Sequence, residues 1–396
     1  MTTYDFNPLS AEFRADPFAV YRRFLRERPV HRNANGTWFV SRHKDVAALL
    51  NDPKRVIKKP EILLKQFRPG PFREHNRHNM NFMDPPDHTR VRATVARYFT
   101  PRALQELVPR IAAIADDLLD RAGGEFDLIR DYAILLPVYV ICEMMGVPAT
   151  ERERFKRWSA DVVAGLEPGA RPEAIAAAEA ACVEFAQFFA ELAEQRRRQP
   201  GGADLLSVLT RHEQEDKLHP LELVHNAAFL LNAGHETTTN LIGNGVQALL
   251  QAPDQLRRLR AEPALIDRAI EEFLRYDPPL HLTFRRTAAD IDLGDAVIGA
   301  GDGVLFSLAG ANRDPSVFET PDRLDIARHE NRHLSFAPGV HFCLGATLAR
   351  YEGRIAIGTL LRRYPNLAPA GAPARNTGII FQGFNRLPVR LGPRAA

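Results

Sequence analysis

The sequence predicts a mainly α-helical fold with small, segregated β-sheets, and three observations carry that prediction. Four stretches, 103–122, 172–197, 221–251 and 266–276, repeat apolar residues at i, i+3, i+4 and i+7 over several turns. Runs with β-like character are short: 30–32, 37–41, 291–298, 303–306 and 387–391. No long Gly, Ser or Pro tract breaks the apolar patterning. Residues 1–396 are therefore expected to form a single domain, with 1–10 as an N-terminal tail.

Taken in order, the elements follow from local chemistry. The first ten residues lack a basic stretch followed by an apolar one, so no secretory signal is expected and the cytoplasm is the expected compartment. After two short strands, residues 54–78 carry eight Lys or Arg against two Glu, which reads as a solvated loop. Next, Asp84-Pro-Pro-Asp-His88-Thr-Arg-Val-Arg92 sets a Pro pair ahead of a helix and puts His88 and Arg92 on one face, four apart. The most apolar stretch, 133–148, is broken by Pro137 and Glu143 and is too short to span a bilayer. Arg196-Arg-Arg-Gln-Pro-Gly-Gly-Ala203 is one loop between two helices. The longest helix, 221–251, comes next, and helix-forming sequence returns at 346–364 after a turn rich in Gly and Pro. No internal repeat is visible.

Composition narrows the function. The chain is 45% hydrophobic and 26% charged, as in ordinary globular proteins. Its net charge of +3, with no arginine stripe interleaved with aromatics, argues against nucleic-acid binding. Three cysteines in 396 residues argue against a disulfide framework and for a reducing compartment. Cys142 and Cys182 lie in apolar contexts and read as small buried hydrophobes.

Cys343 is different. It lies in Phe336-Ala-Pro-Gly339-Val-His341-Phe-Cys343-Leu-Gly345, immediately before a helix whose N–H groups and positive dipole end lower a thiol's pKa. Gly339 lets the backbone turn sharply, and Gly345 leaves no side chain where a flat group must lie close. Phe336 would shield the sulfur from water. This pattern resembles the haem-ligand loop of the cytochrome P450 family, whose usual form is Phe-Gly-x-Gly-x-His-x-Cys-x-Gly; the second position is Ala337 here. The order of landmarks is similar along essentially the whole chain. The resemblance implies the cytochrome P450 fold, haem b as cofactor, and Cys343 as its axial thiolate.

Ala233-Gly234-His235-Glu236-Thr237-Thr238 places polar residues inside an apolar helix, which costs energy unless they bond to something. One reading is a Thr hydroxyl bonded back to the i−4 carbonyl. The resemblance implies another: Ala233 and Gly234 leave room for dioxygen, and Glu236 and Thr237 form a proton-delivering acid–alcohol pair. His235 has no assigned role. The His235-Glu236 and His212-Glu213 pairs begin like His-Glu-x-x-His zinc sites, but Thr239 and Asp216 stand where the second histidines would fall.

Glu272 and Arg275 lie one turn apart and resemble the family's Glu-x-x-Arg motif, which a third residue from the loop 321–328 completes. Arg323 matches best, with Arg328 the alternative. Haem propionates need cations, and His88, Arg92, Arg286 and His341 match the family positions that supply them. Leu280, Leu282, Phe284, Ile379 and Ile380 make a largely apolar substrate pocket, unless they are ordinary core.

Three cysteines leave no room for an iron–sulfur cluster beside a haem ligand, and no flavin motif is present. Electrons are thus expected from a ferredoxin and its reductase, with Arg90, Arg97 and Arg102 as candidate contacts. The resulting expectation is a monomeric cytoplasmic monooxygenase that hydroxylates an apolar small molecule, with no nucleic-acid or membrane partner. A peroxide-driven or non-hydroxylating relative and a non-catalytic haem-thiolate sensor are the alternatives.

Overall fold

The structure is a computed structural model that describes residues 5–123 and 125–395. Two compact units emerge from the packing. The first combines the chain up to Lys58 with Asn240–Cys343 and the segment from Leu360 onward; the second combines Lys59–Thr239 with Leu344–Thr359. The helices needed below are α1 (Pro71–His78), α2 (Asp87–Val95), α3 (Arg152–Leu166), α4 (Pro172–Arg198), α5 (Pro220–Gln251), α6 (Ile266–Tyr276) and α7 (Ala346–Arg363). Among the described residues, no helix is long and apolar enough to cross a membrane.

The first unit is built on a five-stranded sheet of β1 (Val30–Arg32), β2 (Trp38–Val40), β3 (Val56–Ile57), β4 (Leu282–Thr287) and β5 (Gly303–Ser307). Their order across the sheet is β1-β2-β5-β4-β3. Only β2 and β5 run parallel, with Trp38 opposite Val304 and Val40 opposite Phe306. Alternation along β2 feeds two cores. Trp38 and Val40 join Val46, Leu49, Val304 and Phe306. Phe39 turns the other way, into Phe13, Tyr21 and Phe24.

Three expectations change here. Residues 1–4 of the expected tail lie outside the described residues, but Phe6 is buried and stacks on Phe39 with ring centroids 3.8 Å apart, and Ser10 caps the next helix. Burying an aromatic ring outweighs the freedom of a tail. The expected helix 103–122 is two, Pro101–Gln105 and Val108–Asp120, because Pro109 has no N–H to continue a helix and instead sits in the first turn of the second. The run 291–298 is a small hairpin, Ile291–Asp292 paired with Val297–Ile298, turning through Gly294 at φ +87°.

In the second unit α3 and α4 pack through aromatic side chains; Trp158 and Phe185 meet edge to face at 4.9 Å. Alanine-rich α4 brings its backbone close, and Phe155, Phe185 and Phe189 fill the remaining space.

Helix α6 carries the ion cluster on which the first unit closes. Glu272 and Arg275 have no solvent exposure and pair at 2.7 Å. Arg328, not Arg323, is the second arginine: its Nε donates to Glu272 Oε2 at 3.1 Å. Arg323 is exposed and contributes only its backbone carbonyl, which accepts from Arg275 at 3.2 Å. Asn331 Nδ2 and the Asp325 N–H complete the carboxylate's partners. Truncating one member of a buried pair costs roughly 3–5 kcal/mol, because the other charge is left uncompensated. Thermal and urea unfolding of single variants should therefore show a loss of that order for Glu272→Ala and a smaller but clear loss for Arg328→Ala. Arg323→Ala should change stability by less than about 0.5 kcal/mol; equal losses at the two arginines would contradict this geometry.

Candidate active site

The Cys343 loop is fixed by its own backbone. The Cys343 N–H donates to the Phe336 carbonyl at 2.9 Å, and the Phe342 N–H donates to that of Gly339 at 2.9 Å. Gly339 takes φ +86°, and a Cβ there would collide with the Leu50 carbonyl oxygen, so glycine is required. Ala337 also sits in the left-handed region, at φ +48°, where an L side chain costs about 1 kcal/mol. That cost falls at the one loop position that departs from the family's glycine. Phe336 lies half-buried beside His333 and Phe342. A Cβ on Gly345 would meet nothing within 4 Å. Cys142 and Cys182 are buried, and burial pushes the Cys142 thiol up to about 12 and the Cys182 thiol further still. Cys343 alone of the three is not buried.

Midway along α5 the buried pattern opens. Ala233 is exposed and Gly234, Glu236 and Thr237 are half-buried, between Leu230, Leu231 and Asn232 on one side and Thr238–Asn240 on the other, all buried. Thr237 Oγ1 donates to the Ala233 carbonyl at 3.1 Å, the bond expected of a threonine within a helix. Gly234 does not face that opening. A Cβ on it would lie 3.4 Å from Ile141, an ordinary contact, on the side of the helix Leu135–Met144. His235 is buried, and both ring nitrogens lack a partner; burial holds it neutral, with its pKa lowered to about 4.

The remaining expected residues are distributed as follows. His88 is buried and Arg92 half-buried, one turn apart on α2. His341 is half-buried on the cysteine loop. Arg286 donates to the Gly301 carbonyl at 2.7 Å, whereas its strand neighbour Arg285, on the opposite face of β4, is 5% exposed. Leu282 and Ile379 pack in the aromatic core with Phe6, Phe13 and Tyr21. Leu280 pairs through its backbone with Phe381, and Leu280, Phe284 and Ile380 are half-buried. Arg90 is committed to Glu222 through two hydrogen bonds of 2.9 and 2.6 Å and to Asp87 at 3.1 Å, so it is not a free contact for a partner. Arg97 and Arg102 are exposed.

One residue escaped the sequence reading. Glu352, on α7, is 1% exposed; burial raises its pKa to about 8, offset only in part by the Thr238 hydroxyl beside it. The signal was present: Leu348, Glu352 and Ala356 follow at helical spacing on a buried face.

These groups set opposing pH trends. Glu352 holds its proton in the folded state up to about pH 8, while the unfolded chain ionises near its usual 4.5, so stability is lost as pH rises between those values. His75, His225 and His235 have pKa values lowered by burial to about 3, 4 and 4, so stability is lost as pH falls from 6.5 towards those values. Urea unfolding should show maximal stability near pH 7. Glu352→Gln should raise stability by about 4 kcal/mol at pH 7.5 and by little at pH 4.5; a pH-independent effect would overturn this assignment.

Known proteins resemble this chain along its length. A family model described as Cytochrome P450 matches residues 171–377. Cytochrome P450 107B1 of Saccharopolyspora erythraea is 43% identical over 398 residues, covering 96% of this chain and 96% of its own. The vitamin D(3) 25-hydroxylase of Pseudonocardia autotrophica is 41% identical, covering 98% of this chain and 96% of its own. The crystal structure of CalO2 aligns with a TM-score of 0.93 at 36% identity, covering 98% of this chain and 99% of the other. With likeness over the whole length and a cysteine outside the buried core at the family's ligand position, this chain belongs to the cytochrome P450 family and is a monooxygenase.

Proposed function

We propose that this monooxygenase hydroxylates a largely apolar small molecule, holding haem b through the Cys343 thiolate and drawing electrons from a ferredoxin supplied by a ferredoxin reductase. The observation that carries the reading is the thiol itself. It is the one cysteine outside the apolar core, it precedes the N-terminus of α7, and Gly345 beside it leaves open space. These residues fit an iron porphyrin. The relative named for 25-hydroxylation supports the choice of hydroxylation.

When bound, the haem supplies reductive activation of dioxygen. The protein's own residues do the rest. Cys343 offers the thiolate, and the bond from its N–H to the Phe336 carbonyl keeps the sulfur in place. His88, Arg92 and His341 offer donors to the propionates. At β4 that role suits Arg285, the more deeply buried of the pair, better than Arg286; each guanidinium also holds a backbone carbonyl, of Phe284 and Gly301 respectively. Glu236, half-buried, passes protons from solvent, and Thr237 Oγ1 hands them on. To do so its hydroxyl would release the Ala233 carbonyl, a loss of about 1 kcal/mol that a bond to a new acceptor would offset. Arg97 and Arg102, both exposed, remain as contacts for an acidic ferredoxin.

The reduced protein exposed to carbon monoxide should show the strongly red-shifted Soret band of thiolate ligation, and Cys343→Ala should lose it. A histidine-like spectrum in the wild type would remove the ligand assignment. Thr237→Ala should keep that band but consume electrons without matching product, by a factor of about ten or more. Full coupling in this variant would end the proton-delivery role.

A further inference from the structure

We propose that a cavity within the second unit binds the oxyanion end of a long ligand, a carboxylate or a phosphate, through Arg73. The cavity measures about 680 Å³ and is bounded by Arg73 and Arg77 of α1, Leu64, Met83, Pro86 and Glu222. Among the described residues, the Arg73 Nε is shut off from solvent with no acceptor, and no carboxylate lies within ion-pair distance of its guanidinium.

Of the other charges around the cavity, all but Glu61 already have partners. Arg77 and His78 flank Glu74, at 3.6 and 3.8 Å. Glu222 and Asp87 are held by Arg90, and Asp84 accepts the Lys59 N–H at 2.7 Å. Glu61 is exposed. Arg73 is thus an uncompensated cation with a partly desolvated fork, and a guanidinium in that state favours a planar carboxylate or a phosphate that accepts two N–H bonds at once. The apolar Leu64, Met83 and Pro86 suit the chain attached to such a head.

Length limits the ligand further. Glu222 lines the cavity and precedes Thr237 by fifteen residues on α5, about 22 Å at the helical rise. A ligand held at Arg73 and oxidised beside Thr237 therefore needs a reach of that order, as in a long-chain fatty acid or an acyl group on a phosphopantetheine arm. The direction of this reach rests on the oxygenase reading above; the anchor does not.

Calorimetric titration of the haem-loaded protein tests it with three probes: hexadecanoate, methyl hexadecanoate and S-hexadecanoyl-4′-phosphopantetheine. At least one of the two anions should bind the wild type, and Arg73→Gln should weaken that anion tenfold or more while leaving the ester unchanged. Whichever anion loses affinity identifies the head group. Arg68→Gln, an exposed site on the same cationic segment, should bind as the wild type does, which separates a site from a general positive field. Thermal unfolding of Arg73→Gln at the wild-type temperature excludes misfolding. Equal affinity in Arg73→Gln and wild type, or an ester that binds the wild type as tightly as both anions, would overturn the anchor. An Arg73-dependent anion in a protein without thiolate ligation would preserve the anchor and sink the oxygenase reading.

Discussion

A carboxylate with no solvent exposure must have its negative charge met entirely by protein, and at Glu272 this requirement organises the first unit. Its two oxygens accept from Arg275, Arg328, Asn331 and the backbone of Asp325. Those donors come from α6 and from a loop some fifty residues later. Arg275 in turn ties down the carbonyls of Asn312, Pro321 and Arg323. Just beyond, Ser335 donates to the Leu274 carbonyl at 2.6 Å, and Asn312 clamps both Ser335 and the Leu334 N–H. The cysteine loop therefore starts from a segment already bonded to α6. Because half-satisfied charges are worse than none, this arrangement favours one geometry over near alternatives.

Much of this was legible in the sequence, and the failures have a common physical source. The cysteine loop, the long helix and the Glu-x-x-Arg pair announce themselves because their residue types and spacings are chemically unusual. Direction is harder to read. Arg323 and Arg328 lie in one irregular loop, and only the folded backbone decides which guanidinium turns inward and which residue lends a carbonyl. Leu282 and Ile379 are as apolar as any pocket residue, so pattern alone does not tell core from cavity. Arg285 and Arg286 differ by a single step along a strand, yet that step reverses the face. Gly234 looked like space for chemistry, yet its Cα–H side is turned to Ile141. Glu352 was missed because a lone acid on an apolar helix face is usually discounted, although its buried neighbours at 348 and 356 mark it.

The charged groups fall into two kinds. Glu272 and Glu222 are met by cations, which holds the Glu222 carboxyl below its ordinary pKa, and Arg90 is held more firmly protonated by Glu222 and Asp87. Glu352 and His235 have no such partners and stay neutral, which avoids the far larger penalty of burying an isolated charge. Sequence composition alone does not distinguish the two kinds. Partner geometry does.

The order of strands also carries a kinetic meaning. β1, β2 and β3 come from the first sixty residues, yet the sheet is completed by β4 and β5, more than two hundred residues later. Loop closure over such separations is slow, since the entropy is lost before any contact rewards it. During synthesis the N-terminal strands emerge long before their partners exist. Trp38, Phe39 and Val40, all buried in the finished sheet, must then wait in a nascent chain until residues 303–307 arrive. A ribosome-bound intermediate of this protein would thus display a hydrophobic strand with an unpaired edge, the kind of surface that chaperones shield.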